Sequence, residues 1–191
     1  FPESWANEAG QSACGALIDR ILDAHPATAA LTEQARIEGH SIHAKLEQIL
    51  SDLAAGPDAT HALTRSLNLQ PDFAGNRSPL ADPTRRGAIS GLTMATGAED
   101  LALLYLATVQ ALAYGTRQIV DRLRTHGVVF DALVVSGGLA RNPLFLREHA
   151  DAIGCPVLVP EQAEPVLLGS AMLGACAAGQ FGSLAQAAQA M

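Results

Sequence analysis

The chain has 191 residues, of which 49% are apolar, 16% charged and 4% aromatic, and its 12 basic and 19 acidic residues give a net charge of −7. At roughly 150 residues per domain this length predicts a single domain over residues 1–191, and the apolar share excludes a fully disordered chain. Because nucleic acids and anionic membranes attract basic surfaces, the acidic balance predicts neither of them as a partner.

Lysine, cysteine and apolar content exclude further kinds of site and protein. Lys45 is the only lysine and lies in a helical pattern, which excludes a Walker A phosphate loop and a protein-kinase core. Cys14, Cys155 and Cys176 have no paired spacing, which favours a reducing compartment, and we expect a cytoplasmic location. The sequence has no run of 18 apolar residues, so it predicts no membrane-spanning helix. The chain opens with Phe1 and not with methionine, so we expect it to be part of something longer.

The first half of the chain predicts helices followed by an irregular segment. Apolar residues at helical spacing predict helices over residues 12–25 and about 33–55, and a short helix over 59–67. Residues 68–87 contain three prolines and two glycines, which forbid a regular helix. This segment is expected to be a long ordered loop, or a strand followed by one, and a short strand is expected directly after it.

The second half alternates helices and strands. In chain order we expect a long helix over 98–125, a buried strand over 133–135, a helix that begins at Asn142-Pro143, a short strand over 156–159, and helices over 166–178 and 184–191. Asn is a favoured N-cap and Pro is favoured at the first helical position. This order predicts an α/β unit with a right-handed crossover.

The motif with the clearest chemistry lies between the buried strand and the following helix. It reads SGGLARN over residues 136–142. Two glycines leave the backbone bare where a ligand approaches, and a helix N-terminus with free N–H groups follows. The motif fits a plain tight turn and a nucleotide-contacting loop, and the residues alone leave both interpretations open. It is not GxGxxG, so a dinucleotide site is not supported.

Three other groups have a functional and a structural interpretation. Arg77 in the irregular segment is a candidate ligand for phosphate or sugar hydroxyls, or else fixes its own loop through carbonyl groups. The small residues of segment 8–15 allow close approach of a ligand, or else serve helix entry and packing. The group Glu38, His40, His43 and Glu47 includes two histidines, His40 and His43, at the i,i+3 spacing of metal ligands, but the polar helix face favours a solvated helix.

Several of these segments occur together, in this order, in one family. Residues 9–19 (AGQSACGALID), 71–83 (PDFAGNRSPLADP), 136–142 (SGGLARN) and 164–171 (EPVLLGSA) resemble the C-terminal half of an FGGY-family carbohydrate kinase. The similarity runs from about residue 3 to residue 191. Residues 75–82 (GNRSPLAD) and 105–111 (YLATVQA) most resemble the ribulokinase branch, which acts on D-ribulose and related pentuloses or polyols.

The resemblance implies a fold, cofactors and site residues. The fold is α/β of the ribonuclease-H-like type shared by actin and sugar-kinase ATPases, with a mixed sheet flanked by helices. ATP and Mg²⁺ are the implied cofactors, and a sugar hydroxyl is the implied phosphoryl acceptor. The family's motif makes Gly138 and Asn142 nucleotide contacts, with Gly137 adjacent. Gly15 and Asp19 match more loosely, since Asp19 is an acid where the family has a neutral amide. Arg77 is expected to face the substrate or the other lobe.

The family's remaining machinery belongs to its N-terminal lobe. That lobe carries the GxDxGT phosphate-binding turn, most sugar ligands and the catalytic Asp, and no GxDxGT occurs in this sequence. No catalytic base is therefore assigned to this chain. We expect it to be the C-terminal, nucleotide-side lobe, inactive alone, with the N-terminal lobe of the same polypeptide as partner and a homodimer as a further possibility. The alternatives are a non-catalytic nucleotide-binding or regulatory module and an α/β interaction domain without nucleotide.

Overall fold

A computed structural model describes residues 8–54, 56, 59–162 and 164–191. In this part of the chain the helices are α1 (Gly15–Ala24), α2 (Thr28–Ile37), α3 (Ile42–Leu53), α4 (Ala98–Arg124), α5 (Pro143–Ile153), α6 (Pro165–Ala177) and α7 (Leu184–Ala190). The strands are β1 (Asn68–Gln70), β2 (Ala88–Ser90), β3 (Leu133–Val134) and β4 (Val157–Leu158), and short 3-10 turns cover Thr60–Ala62 and Gly138–Arg141.

Helix α4 is the centre of the core. It is 27 residues long, which corresponds to about 40 Å at 1.5 Å per residue. Leu101, Tyr105 and Leu112 on it are completely buried, and helices α1, α3 and α5 pack around it. Acidic residues in its first turn and arginines in its last turn complement the helix dipole. The predicted helix over 98–125 is confirmed.

The single helix predicted over 33–55 is wrong. Two helices, α2 and α3, occupy this region, and the chain turns between them at Gly39, which has a φ of +76°. Ser41 then caps α3, because its hydroxyl accepts a hydrogen bond from the backbone N–H of Ala44 at 3.2 Å. The predicted end at Ala55 lies outside the described residues.

The short helix predicted over 59–67 is also wrong in extent. Only Thr60–Ala62 forms a 3-10 turn.

The strand-then-loop interpretation of 68–87 is confirmed, since β1 pairs with β2 in an antiparallel ladder around the loop. The buried carboxylate of Asp72 orders that loop. Burial acts to raise the pKa of Asp72, but donors on Gln70, Asn76 and Arg85 together lower it.

The strands form two separate two-stranded sheets in the described residues. β3 and β4 pair in parallel, with Leu133 opposite Val157, as the strand–helix–strand order predicts. The expectation that β3 is buried is wrong, because Val134 is 63% exposed. An apolar run predicts burial only if other elements cover both faces of the strand, and in the described residues one face is uncovered.

Helix α6 is also uncovered in the described residues. It is apolar on all sides, yet none of its residues is buried. We call the exposed apolar residues of these elements the β3–α6 surface: Val134, Leu158, Val166, Leu167 and Leu173. No helix in the described residues has the length and apolar content needed to span a membrane.

Gly91 after β2 is expected to be essential for stability. Its φ is +87°, and a Cβ there would lie 1.7 Å from the carbonyl oxygen of Ser66. We expect Gly91→Ala to lower the free energy of unfolding by about 2 kcal/mol or more, through overpacking and backbone strain. Gly97→Ala is the control, because a Cβ at Gly97 meets nothing within 4 Å. Denaturant unfolding of both variants checks this, and equal losses would contradict it.

Candidate functional site

A cavity of about 710 Å³ lies between the first turns of α1, the N-terminal half of α3 and the turn that precedes α5. Its polar and backbone lining includes Gly15, Asp19, Ser41, His43, Glu47, Gly138, Arg141 and Asn142. Four of the residues singled out from the sequence, Gly15, Asp19, Gly138 and Asn142, therefore line one cavity although they come from segments more than 100 residues apart.

The two glycines of the turn have different positions. Gly137 has φ +82° and ψ −164°, a conformation that essentially only glycine adopts, and it lines a neighbouring smaller cavity. Gly138 begins the 3-10 turn and lines the main cavity, and a Cβ there would meet nothing within 4 Å. Gly137 therefore shapes the turn, whereas Gly138 leaves open space above its backbone.

The side chain of Asn142 is held from both ends of its amide. Its Oδ1 accepts a hydrogen bond from the backbone N–H of Phe145 at 2.9 Å, which caps α5. Its Nδ2 donates to the hydroxyl of Tyr105 at 2.6 Å. Burial raises the pKa of Tyr105 to about 12, so the hydroxyl stays neutral. Asn142 keeps one amide N–H beyond these two bonds, and the predicted helix start at Asn142-Pro143 is confirmed.

Acidic groups outnumber basic ones on the cavity wall. Asp19 and Glu47 line it together with one guanidinium, that of Arg141, which is exposed and lies 3.8 Å from Glu164. Burial raises the pKa of Glu47, and the charge of Arg147 acts in the opposite direction. Two carboxylates repel phosphates but accept hydrogen bonds from hydroxyl and amino groups. The cavity therefore suits an uncharged polar group better than a triphosphate.

Arg77 lies apart from this cavity. It lines a separate pocket of about 410 Å³, whose lining shares no residue with the first. Its guanidinium pairs with the carboxylate of Glu8, and both side chains are exposed. The structure does not bring Arg77 together with the glycine turn, and its contact with substrate or another lobe stays a prediction.

Sequence reasoning missed His43 and Glu47. Glu38 and His40 are exposed as predicted, but they lie in the turn between α2 and α3 and not on a helix. His43 and Glu47 lie on α3, and the prediction that they are solvated is wrong, because both are half-buried in the cavity wall. Their covering groups, Tyr105 and the turn before α5, are distant in sequence. The available signal was spacing, because positions 43 and 47 lie on the same helical stripe as the buried Leu46 and Leu50.

In residues 8–54, 56, 59–162 and 164–191, no group of three or more His, Cys, Asp or Glu side chains converges closely enough to hold a metal ion. What the cavity offers is bare backbone at Gly138, carboxylate acceptors on two helices and a half-buried imidazole.

A family model and two related proteins match this chain. The model of the FGGY family of carbohydrate kinases, C-terminal domain, matches residues 1–178. The chain is 46% identical over 192 residues to an FGGY carbohydrate kinase domain-containing protein of Xenopus laevis, covering 100% of this chain and 34% of that protein. It is 38% identical over 180 residues to a D-ribulokinase of Saccharomyces cerevisiae, covering 93% of this chain and 25% of that protein.

A solved structure shows the same fold. A ligand-bound xylulose kinase from Lactobacillus acidophilus aligns with a TM-score of 0.64 at 17% identity, over 92% of this chain and 31% of that one. The predicted α/β fold of the ribonuclease-H-like sugar-kinase class is confirmed. The chain spans about a third of the length of the first relative and a quarter of the second. On the family match and these identities, the chain belongs to the FGGY family of carbohydrate kinases and carries that family's C-terminal domain.

Proposed function

We propose that the full-length protein containing this chain is an ATP-dependent carbohydrate kinase and that this chain is its nucleotide-side lobe. Family membership supports the reaction class. The observation that carries the assignment of the lobe is the single cavity on which Gly15, Asp19, Gly138 and Asn142 converge.

The cavity's chemistry favours the adenosine part of the nucleotide. A flat base needs bare backbone, which Gly138 supplies, and ribose hydroxyls need acceptors, which Asp19 and Glu47 supply. Phosphates would be repelled by these carboxylates, so we assign them to the opening of the cavity, toward the other lobe. Mg²⁺ would accompany them and neutralise charge on the transferred group. We assign no Mg²⁺ ligand and no catalytic base to this chain.

For the acceptor we propose a pentulose such as ribulose, or a related polyol. The similarity to a D-ribulokinase over 93% of the chain supports this choice. The sugar ligands, the phosphate-binding turn and the general base would belong to the N-terminal lobe of the same polypeptide. Closure of the two lobes would exclude water from the reacting groups. We propose a cytoplasmic location, in keeping with three free cysteines.

The exposed apolar residues of the β3–α6 surface indicate that another protein segment contacts this chain there. Val134, Val166 and Leu167 are each more than 60% exposed. Large apolar side chains that are exposed together mark surfaces that contact other protein. We propose that more of the same polypeptide covers them, and a homodimer contact is the alternative.

Calorimetric titration of the full-length protein with Mg²⁺–ATP, followed by a panel of pentuloses and polyols, tests this function. We expect ATP binding and sugar-dependent release of ADP, strongest with a pentulose. ATP binding without turnover on any sugar would support the non-catalytic module instead. Absence of ATP binding would overturn the proposal.

Asn142→Ala is expected to affect both folding and binding. Loss of the cap lowers the free energy of unfolding by about 1 kcal/mol, and loss of the bond to Tyr105 adds a similar amount. ATP affinity should fall as well, because the remaining amide N–H disappears from the cavity. Ser183→Ala removes the cap of α7 and is the control, since Ser183 lies outside the cavity lining. If both variants bind ATP equally, Asn142 has a purely structural role.

A further inference from the structure

His43 occupies an unusual position in the cavity wall. It is the second residue of α3 and lines the same cavity as Gly138. Its ring centroid lies 5.5 Å from that of Tyr105, at an interplanar angle of 40°. Tyr105 is completely buried and is bonded to Asn142. The imidazole is therefore fixed on one side by the same tyrosine that holds the predicted nucleotide residue.

The two ring nitrogens of His43 differ in environment. Nδ1 is buried and has no hydrogen-bond partner among the described residues. A proton on Nδ1 would therefore be left unpaired in the protein interior, which costs more than leaving a lone pair there. We therefore assign the proton of the neutral ring to Nε2. Burial lowers the pKa of His43 and outweighs the charge of Asp19, which acts to raise it. The lowered pKa favours the neutral ring near pH 7.

We propose that His43 is a specificity residue that reads the base of the bound nucleotide, with its Nε2–H donating a hydrogen bond to a ring nitrogen of adenine. This inference rests on the proposed function, since it needs a nucleotide in the cavity. A purine offers unprotonated ring nitrogens as acceptors, whereas the cavity's carboxylates offer none of the N–H donors that such nitrogens require. In the described lining, His43 supplies a neutral donor that is fixed in direction.

The test uses the full-length protein and four nucleotides: ATP and its 1-deaza, 3-deaza and 7-deaza analogues, each of which lacks one ring-nitrogen acceptor. We expect the wild-type protein to bind one of the analogues roughly 3- to 10-fold more weakly than ATP, the range that a single hydrogen bond gives. In His43→Phe that difference should disappear, because the ring contact with Tyr105 stays while the donor is lost. His43→Gln, which retains an N–H donor, should restore part of it.

His40→Phe is the matched control, since His40 is exposed and outside the cavity lining. It should leave every affinity ratio unchanged. If His43→Phe binds the four nucleotides with the same ratios as the wild type, His43 does not read the base and the inference is overturned, while the proposed function stands. If the wild-type protein binds none of the four, the proposed function fails and this inference fails with it.

Discussion

Gly138→Val in the full-length protein is expected to weaken ATP binding by about 100-fold or more, equivalent to about 2.8 kcal/mol. The space above Gly138 is empty, since a Cβ there meets nothing within 4 Å. A branched side chain would therefore fit the unliganded fold and would occupy the volume that we assign to adenosine. The loss should appear in a calorimetric titration, while the melting temperature stays close to that of the wild type.

Two further variants make this expectation specific. Gly138→Ala should give an intermediate loss of affinity, because a single methyl group fills less of the cavity. Gly97→Val places the same branched side chain at another open glycine, at the start of α4, and should leave ATP affinity unchanged. Unchanged affinity in Gly138→Val would mean that the nucleotide does not rest on this turn.

The 191-residue chain alone is expected to show no sugar-dependent ATP consumption, a loss of at least about 10⁶-fold relative to the full-length protein. Phosphoryl transfer depends on positioning and charge stabilisation, and the proposed phosphate-binding turn and base both belong to the other lobe. A coupled assay for ADP measures it. Circular dichroism of the same sample is the control, because it reports whether the helices of the described residues are formed.

Turnover by the isolated chain would contradict the assignment of the base and the phosphate-binding turn to the other lobe. It would require a base and a phosphate site within residues 1–191. The half-buried Glu47 would then be the first residue to test, since burial raises the pKa of its carboxyl group within the cavity.

Local signals were sufficient for part of the fold. The start of α5 could be predicted because Asn142 and Pro143 satisfy the helix end by themselves. Helix α4 could be predicted because its apolar periodicity persists over 27 residues. The break between α2 and α3 was missed because the turn at Gly39 is short and the apolar periodicity resumes directly beyond it.

Burial could not be predicted where it depends on what covers an element. The apolar strand β3 was predicted to be buried, yet Val134 is exposed in the described part of the chain. The same dependence explains the candidate site. Gly138 and Asn142 belong to a local motif and could be singled out from it, and their contact with nucleotide stays a prediction. His43 belongs to no such motif, and it lines the cavity because α3 packs beside Tyr105 and the turn before α5.

A crystal structure of the full-length protein with bound ADP shows whether adenosine rests on the turn at Gly138. We expect electron density for the adenine ring against the backbone of Gly138, with the ribose near Asp19 and the imidazole of His43 within hydrogen-bond distance of a ring nitrogen. Density for adenosine outside this cavity, or a side chain from elsewhere in the protein covering the turn at Gly138, would contradict it.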